Sequence, residues 1–209
     1  MIRDDMIALG KGGSTIRKIY EYSRLRKGEI GDANVYDFSI GNPSVPPPRE
    51  FDEKLNSLIR DSRMTVHGYT SSQGDLGVRR AVAAAYSAES GVDLLPECVY
   101  MTCGAAASLT IILNAISLPG DEVILLAPFF PEYSVFVTQA GAKPVVVQTT
   151  PHEFRIDINA VSAAVNEKTK AIIVNSPNNP TGVVYSETEI KALADLLASK
   201  QREYGHEIY

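Results

Sequence analysis

From residue 98 to residue 204, short apolar runs alternate with longer amphipathic stretches, and this rhythm limits the possible folds more than any other feature of the chain. It predicts strands at 98–102, 122–127, 144–149 and 171–174, with helices at 105–118, 131–140, 158–165 and from residue 186 to about residue 204. A run such as Ala171-Ile172-Ile173-Val174 is β-branched and has no polar interruption, which suits a strand covered on both faces. Strands separated by helices pair in parallel through right-handed crossovers. The expected fold class is therefore α/β, a mostly parallel sheet with helices on both faces. Ser186-Glu187-Thr188-Glu189 has the form of a capping box for the last helix. His206-Glu207-Ile208-Tyr209 begins another strand pattern that stops with the chain, so the sheet is expected to be truncated and the sequence a fragment.

The first 34 residues are polar and mixed in charge, with an amphipathic segment at 14–27 that places Ile16, Ile19, Tyr20 and Leu25 on one face. Arg17, Lys18, Arg24, Arg26 and Lys27 cluster there as a solvated basic face. A short strand is expected at 35–40. It ends at Gly41-Asn42-Pro43, and Pro46-Pro47-Pro48 favours an extended connection. Helical patterns follow at 51–61 and 74–90.

Composition excludes several classes of function. A net charge of −5 with scattered Lys and Arg argues against a nucleic-acid surface. The apolar runs are too short to span a bilayer, and the charged start Met1-Ile2-Arg3-Asp4-Asp5 does not lead into an apolar core, so a cytoplasmic location is expected, with no membrane partner. Cys98 and Cys103 lie five residues apart on a strand pattern and are expected to be reduced and packed. With His67, His152 and His206 distant, no metal-ligand spacing is present.

Three segments that follow strand patterns carry chemistry. Asn175-Ser176-Pro177-Asn178-Asn179-Pro180-Thr181-Gly182 is stiffened by two prolines and offers three side-chain amides that both donate and accept. In an open parallel sheet, ligands bind beyond the carboxyl ends of the strands, where this loop would sit. Cys103-Gly104-Ala105-Ala106-Ala107-Ser108-Leu109 opens a helix with small residues, which suits an anion held by backbone amides; tight strand-to-helix packing is the other explanation. Pro128-Phe129-Phe130-Pro131-Glu132-Tyr133 fixes two aromatics between prolines, suited either to stacking on a flat ring or to filling the core.

Together, in this order, these segments resemble the class I/II aminotransferases, the fold-type I enzymes that use pyridoxal 5'-phosphate (PLP). The likeness covers about 35–209. It implies that Gly104, Ala105 and Ala106 hold the cofactor phosphate, although no hydroxyl side chain stands at 105 or 106. It gives ring stacking to Phe130 and contact with the cofactor's phenolic oxygen to Asn179, which also borders the substrate. His67-Gly68-Tyr69-Thr70 resembles the family segment in which a tyrosine, here Tyr69, bonds the phosphate of the other subunit, which implies a homodimer with shared active sites. Gly41 matches a glycine near the substrate carboxylate. Residues 1–34 then correspond to an amino-terminal arm belonging to a small domain, and 35–209 to an incomplete PLP-binding large domain.

The resemblance also implies a lysine that binds the cofactor covalently and a carboxylate facing its pyridine nitrogen. None of the nine lysines has the family's surroundings, so both groups are expected beyond Tyr209 and no catalytic residue is assigned within the chain. The parent is expected to be a transaminase exchanging amino groups between an amino acid and a 2-oxo acid, of general or aspartate type, and the 209 residues alone to be inactive. A lyase or decarboxylase of the same fold would share every motif quoted. A PLP-sensing regulator would need a DNA-binding segment longer than residues 1–34, and no Gly-x-Gly-x-x-Gly supports a nucleotide-binding oxidoreductase.

Overall fold

The computed structural model describes residues 4–12, 15–41, 45–61 and 67–209. They belong to two compact units, Met1–Tyr69 and Thr70–Tyr209.

In the first unit, α1 (Asp4–Gly12) and α2 (Thr15–Ile30) precede a single 3-10 turn at Asp32–Asn34, and α3 (Arg49–Ile59) ends the helical part. The amphipathic segment expected from residue 14 corresponds to α2, on which Ile16, Ile19, Tyr20 and Leu25 are exposed. Ser14, Asn42 and Pro43 lie outside the described residues. The strand expected at 35–40 does not form, since these residues have no sheet partner among the described residues. Asp37 holds the segment by other means. Its carboxylate accepts from Lys27 Nζ at 2.8 Å and from the Ser39 amide and hydroxyl at 3.0 and 2.6 Å. The Lys27 bond, then those from Ser39, push the Asp37 carboxyl below the ordinary range.

The second unit opens with α4 (Leu76–Ser90), whose amino end is capped by Asp75 Oδ1, accepting from the Val78 amide at 3.0 Å. Next come α5 (Ala105–Ile116), β1 (Glu122–Ala127), α6 (Glu132–Gln139), β2 (Lys143–Gln148), α7 (Ile158–Ala164), β3 (Thr169–Ile173) and α8 (Glu187–Tyr204). The expected capping box is present: the Glu189 amide donates to Ser186 Oγ at 3.3 Å, and the Ser186 amide donates to the Glu189 carboxylate at 2.8 Å.

The three strands run parallel in the order β2-β1-β3. Beyond β3, Tyr209 N donates to Lys170 O at 3.0 Å and Ile172 N donates to Tyr209 O at 2.9 Å, so the chain's last residue pairs alongside β3 in the parallel pattern. The strand expected at 98–102 is absent. A 3-10 turn covers Pro96–Cys98, and the following residues bond to Gln73 instead of the sheet, through a Met101 amide that donates to Gln73 O at 3.0 Å. Cys98 and Cys103 are free as expected but exposed, because no strand neighbour covers this segment.

The core shows why β1 is continuously apolar. Ile124 and Leu126 point to one face, where they pack with Val161 and Val165 near α7 and with Leu193 of α8. Val123 and Leu125 point to the other, against Leu113 of α5 and Val137 of α6. Burying each such side chain stabilises the fold by roughly 1.5–3 kcal/mol, and only a sheet covered on both faces can bury four in succession. No described helix is long and apolar enough to cross a membrane.

At the amino edge of the sheet, Glu122 joins the strands. Its carboxylate accepts from Asn166 Nδ2 at 2.8 Å and from Lys143 Nζ at 3.0 Å, and its amide donates to Lys168 O at 2.7 Å. The Asn166 bond, followed by the Lys143 bond and charge, holds the Glu122 carboxyl below its ordinary value. A lowered native pKa contributes stability that is complete above the unfolded value of about 4.3 and is lost as pH falls through the native one. The wild-type chain should therefore lose more stability than Glu122→Gln between neutral pH and pH ~3, measured by urea midpoints; parallel curves would refute the coupling.

Candidate functional site

Topology brings three segments to one edge of the sheet. Leu125 of β1 lies opposite Ile173 of β3, so residues 128–133 and 175–182 both leave from the carboxyl edge. α5 ends just before β1 and packs Leu113 and Ile116 into the same core layer as Val123 and Leu125, so it runs back along the sheet and its amino end faces that edge. Gly104, Ala105, Ala106, Phe130 and Asn179 are thereby placed toward the same carboxyl edge of the sheet in the second unit.

Gly104 caps α5 at φ +91°, a conformation closed to most side chains, and a β-carbon there would meet open space. The first bond of the helix is Ser108 N donating to Gly104 O at 3.2 Å, and no side chain caps the end. The amides of residues 105–107 are therefore left over by the helix itself, at the positive end of its dipole. Thr102 Oγ1 donates to Gly104 O at 3.1 Å and lies 2.6 Å from Ser108 Oγ. These hydroxyls tie the loop that enters the helix to its first turn, a role the sequence motif did not reveal.

After β1 the two phenylalanines separate. Phe129 packs against the core with Tyr133, their rings stacked at 6.5 Å, whereas Phe130 stands edge-on to Tyr133 at 5.6 Å with an 80° interplanar angle. Phe130 is thus half-buried and oriented without being part of the core cluster. Burial raises the Tyr133 phenol above its ordinary value.

The asparagines of the third segment also divide. Asn178 is 7% exposed and organises the turn: its amide donates to Val183 O at 2.9 Å, its carbonyl accepts from Gly182 N at 2.7 Å, and its Oδ1 accepts from the Thr181 amide and hydroxyl at 3.3 and 3.0 Å. Asn175 Oδ1 accepts from the Asn179 amide at 2.8 Å, and Ser176 Oγ accepts from Tyr185 N at 3.1 Å. Of the three asparagines in this loop, Asn179 alone has an exposed side chain with no hydrogen-bond partner. Composition could not rank three asparagines in one loop; burial does.

Tyr69 and Gly41 lie in the first unit, and both are exposed. Among the described residues no group of three or more His, Cys, Asp or Glu could hold a metal ion. The division of labour between Asn178 and Asn179 is testable. Asn178→Ala should cost roughly 1–3 kcal/mol because it strands the half-buried amide and hydroxyl of Thr181, while Asn179→Ala should stay within about 0.5 kcal/mol of wild type in denaturant unfolding.

Comparison with known proteins gives this geometry a context. The sequence profile of aminotransferase class I and II matches residues 33–202. The chain is 44% identical over 159 residues to a probable aspartate/prephenate aminotransferase of Thermus aquaticus, covering 76% of this chain and 41% of that protein. Among solved structures, an amino transferase from Eubacterium rectale superposes with a TM-score of 0.95 at 44% identity, over 100% of this chain and 53% of its own. The Thermus thermophilus aspartate aminotransferase, solved with maleate, gives a TM-score of 0.79 at 30% identity over 94% and 49%. The chain thus spans about half the length of its relatives or less. Its matched region includes every loop at the carboxyl edge, and the chain belongs to the class I and II aminotransferase family.

Proposed function

We propose that residues 35–209 hold PLP at the carboxyl edge of the sheet and form the cofactor-binding part of an aminotransferase acting on amino acids and 2-oxo acids, of aspartate type. The observation that carries this is the convergence of uncapped helix amides, an oriented aromatic ring and an unengaged amide side chain at one edge of a parallel sheet. The names of the relatives, aspartate/prephenate aminotransferase among them, support the substrate class.

The residues fit the cofactor's parts. Amides of Ala105 and Ala106, with Gly104 opening the turn, suit a phosphate dianion, because the dipole and the spare donors act together. Phe130 offers a ring face for the pyridine, and Asn179 can donate to the phenolic oxygen. When bound, the cofactor supplies the electron sink that loosens bonds at the substrate's α-carbon. The chain's part is to orient: Asn178 fixes the loop so that Asn179 stays directed outward, and Tyr133 limits how Phe130 can turn. Gly41 is assigned to the substrate carboxylate and Tyr69 to the phosphate of a second subunit, in a homodimer with shared sites. No lysine of the chain is assigned a covalent role, so the 209 residues bind without turnover.

Purified chain titrated with PLP, treated with borohydride and analysed by mass spectrometry tests this. Reversible binding with no modified lysine is expected. Phe130→Ala should weaken it roughly 3- to 10-fold, the worth of one aromatic contact. Absence of PLP binding would defeat the cofactor assignment, and one lysine fixed by reduction would defeat the claim that this chain lacks a covalent anchor.

A further inference from the structure

Arg79 of α4 is 7% exposed, yet among the described residues it has no carboxylate partner. Its bonds go to main-chain carbonyls: Nε donates to Gly74 O at 3.2 Å and Nη1 donates to Pro96 O at 3.0 Å. Withdrawing a guanidinium from water without a counter-charge is costly, and an apolar residue would fill the space at lower cost if packing were all that mattered. What the charge accomplishes is to join two stretches of chain that have no sheet ladder between them.

The same two stretches touch again further on. Met101 N donates to Gln73 O at 3.0 Å, and a β-carbon on Gly74 would come within 2.6 and 2.7 Å of Met101 Cγ and Cβ. Gly74 also sits at φ +97°, so any other residue would be both strained and crowded. Residues 96–101 are therefore fastened to residues 73–79 at both ends, by Arg79 at Pro96 and by Gln73 and Gly74 at Met101. One residue past Met101 is Thr102, whose hydroxyl braces Gly104 O at 3.1 Å.

We propose that Arg79 is a positioning residue for the anion cradle at the start of α5: through the Pro96 and Gly74 carbonyls it fixes the segment that delivers Gly104 and the amides of residues 105–107. This rests on the phosphate assignment made above. Without the guanidinium the two carbonyls keep only their local donors, Ser71 Oγ to Gly74 O at 2.6 Å and Val99 N to Pro96 O at 3.1 Å. The tie between the two stretches at Pro96 is gone, the approach to Gly104 is no longer set, and the spare amides no longer converge on one point.

The test compares PLP with pyridoxal, which lacks the phosphate, in binding titrations of the 209-residue wild type, Arg79→Met and Arg79→Lys, with thermal melts alongside. Wild type should prefer PLP. Arg79→Met should lose about 10-fold of that preference, as expected from misaligning one charge-assisted contact, while pyridoxal binding stays nearly constant. Arg79→Lys, able to reach a single carbonyl, should fall between them. A folded Arg79→Met with the wild-type preference, or with equal losses for both ligands, would overturn the proposal. If Arg79→Met does not fold, Arg79→Lys decides: an undiminished preference refutes the role and a reduced one supports it. A wild type that binds both ligands alike refutes the phosphate assignment itself, and the positioning role falls with it.

Discussion

The burial of β1 on both faces is the constraint on which the second unit depends. Four successive side chains, Val123 to Leu126, are at most 3% exposed, and a strand can hide four in a row only if each face meets its own layer of helices. That requirement sets α5 and α6 on one side and α7 and α8 on the other. Crossovers that place helices on the faces also force the strands parallel, and parallel strands end at a common edge. The loops that gather at that edge are thus a by-product of how the apolar residues are hidden. Their chemistry is then free to vary, because the core does not depend on it.

At that edge the chain separates groups that hold the loop from groups that face outward. Asn178, Thr181 and Ser176 spend their hydrogen bonds on the turn. Asn179 spends only its amide, and its side chain stays outside. Phe129 and Phe130 repeat the pattern, one ring in the core cluster and its neighbour set against Tyr133. Thr102 and Ser108 do so again beside Gly104, where their hydroxyls engage each other and the Gly104 carbonyl. A ligand site needs both kinds of residue, since an exposed donor is useful only where its backbone has been immobilised by something else.

Much of this was legible from the pattern of residues. β1, β2 and β3 were found within one or two residues because apolar runs bounded by turns leave little choice, and Ser186 with Glu189 announced the start of α8. The segments at 35–40 and 98–102 carry equally good strand patterns and do not form strands. A ladder is a property of two segments, and no local pattern reveals that the neighbour of 37 is a lysine on α2 or that the neighbour of 101 is the carbonyl of Gln73. Arg79 was invisible for a related reason. On the sequence it is one of two adjacent arginines in a helix, and only packing shows that its side chain is buried.

Asp37 and Arg79 then present opposite solutions to one problem, how to fix a stretch of chain that has no strand beside it. Asp37 uses a carboxylate to collect donors from Lys27 and Ser39, in a partly exposed setting where ion pairing is inexpensive and correspondingly weak. Arg79 uses a cation to collect carbonyl oxygens in a buried one, where each unmade bond is expensive. The second arrangement tolerates less movement, because the guanidinium is planar and its donors point in fixed directions. The chain places that stiffer device next to the segment leading into Gly104, the position from which an anion would be gripped by backbone alone. Amides cannot change rotamer to follow a ligand, so a cradle built from them is only as accurate as the chain that enters it.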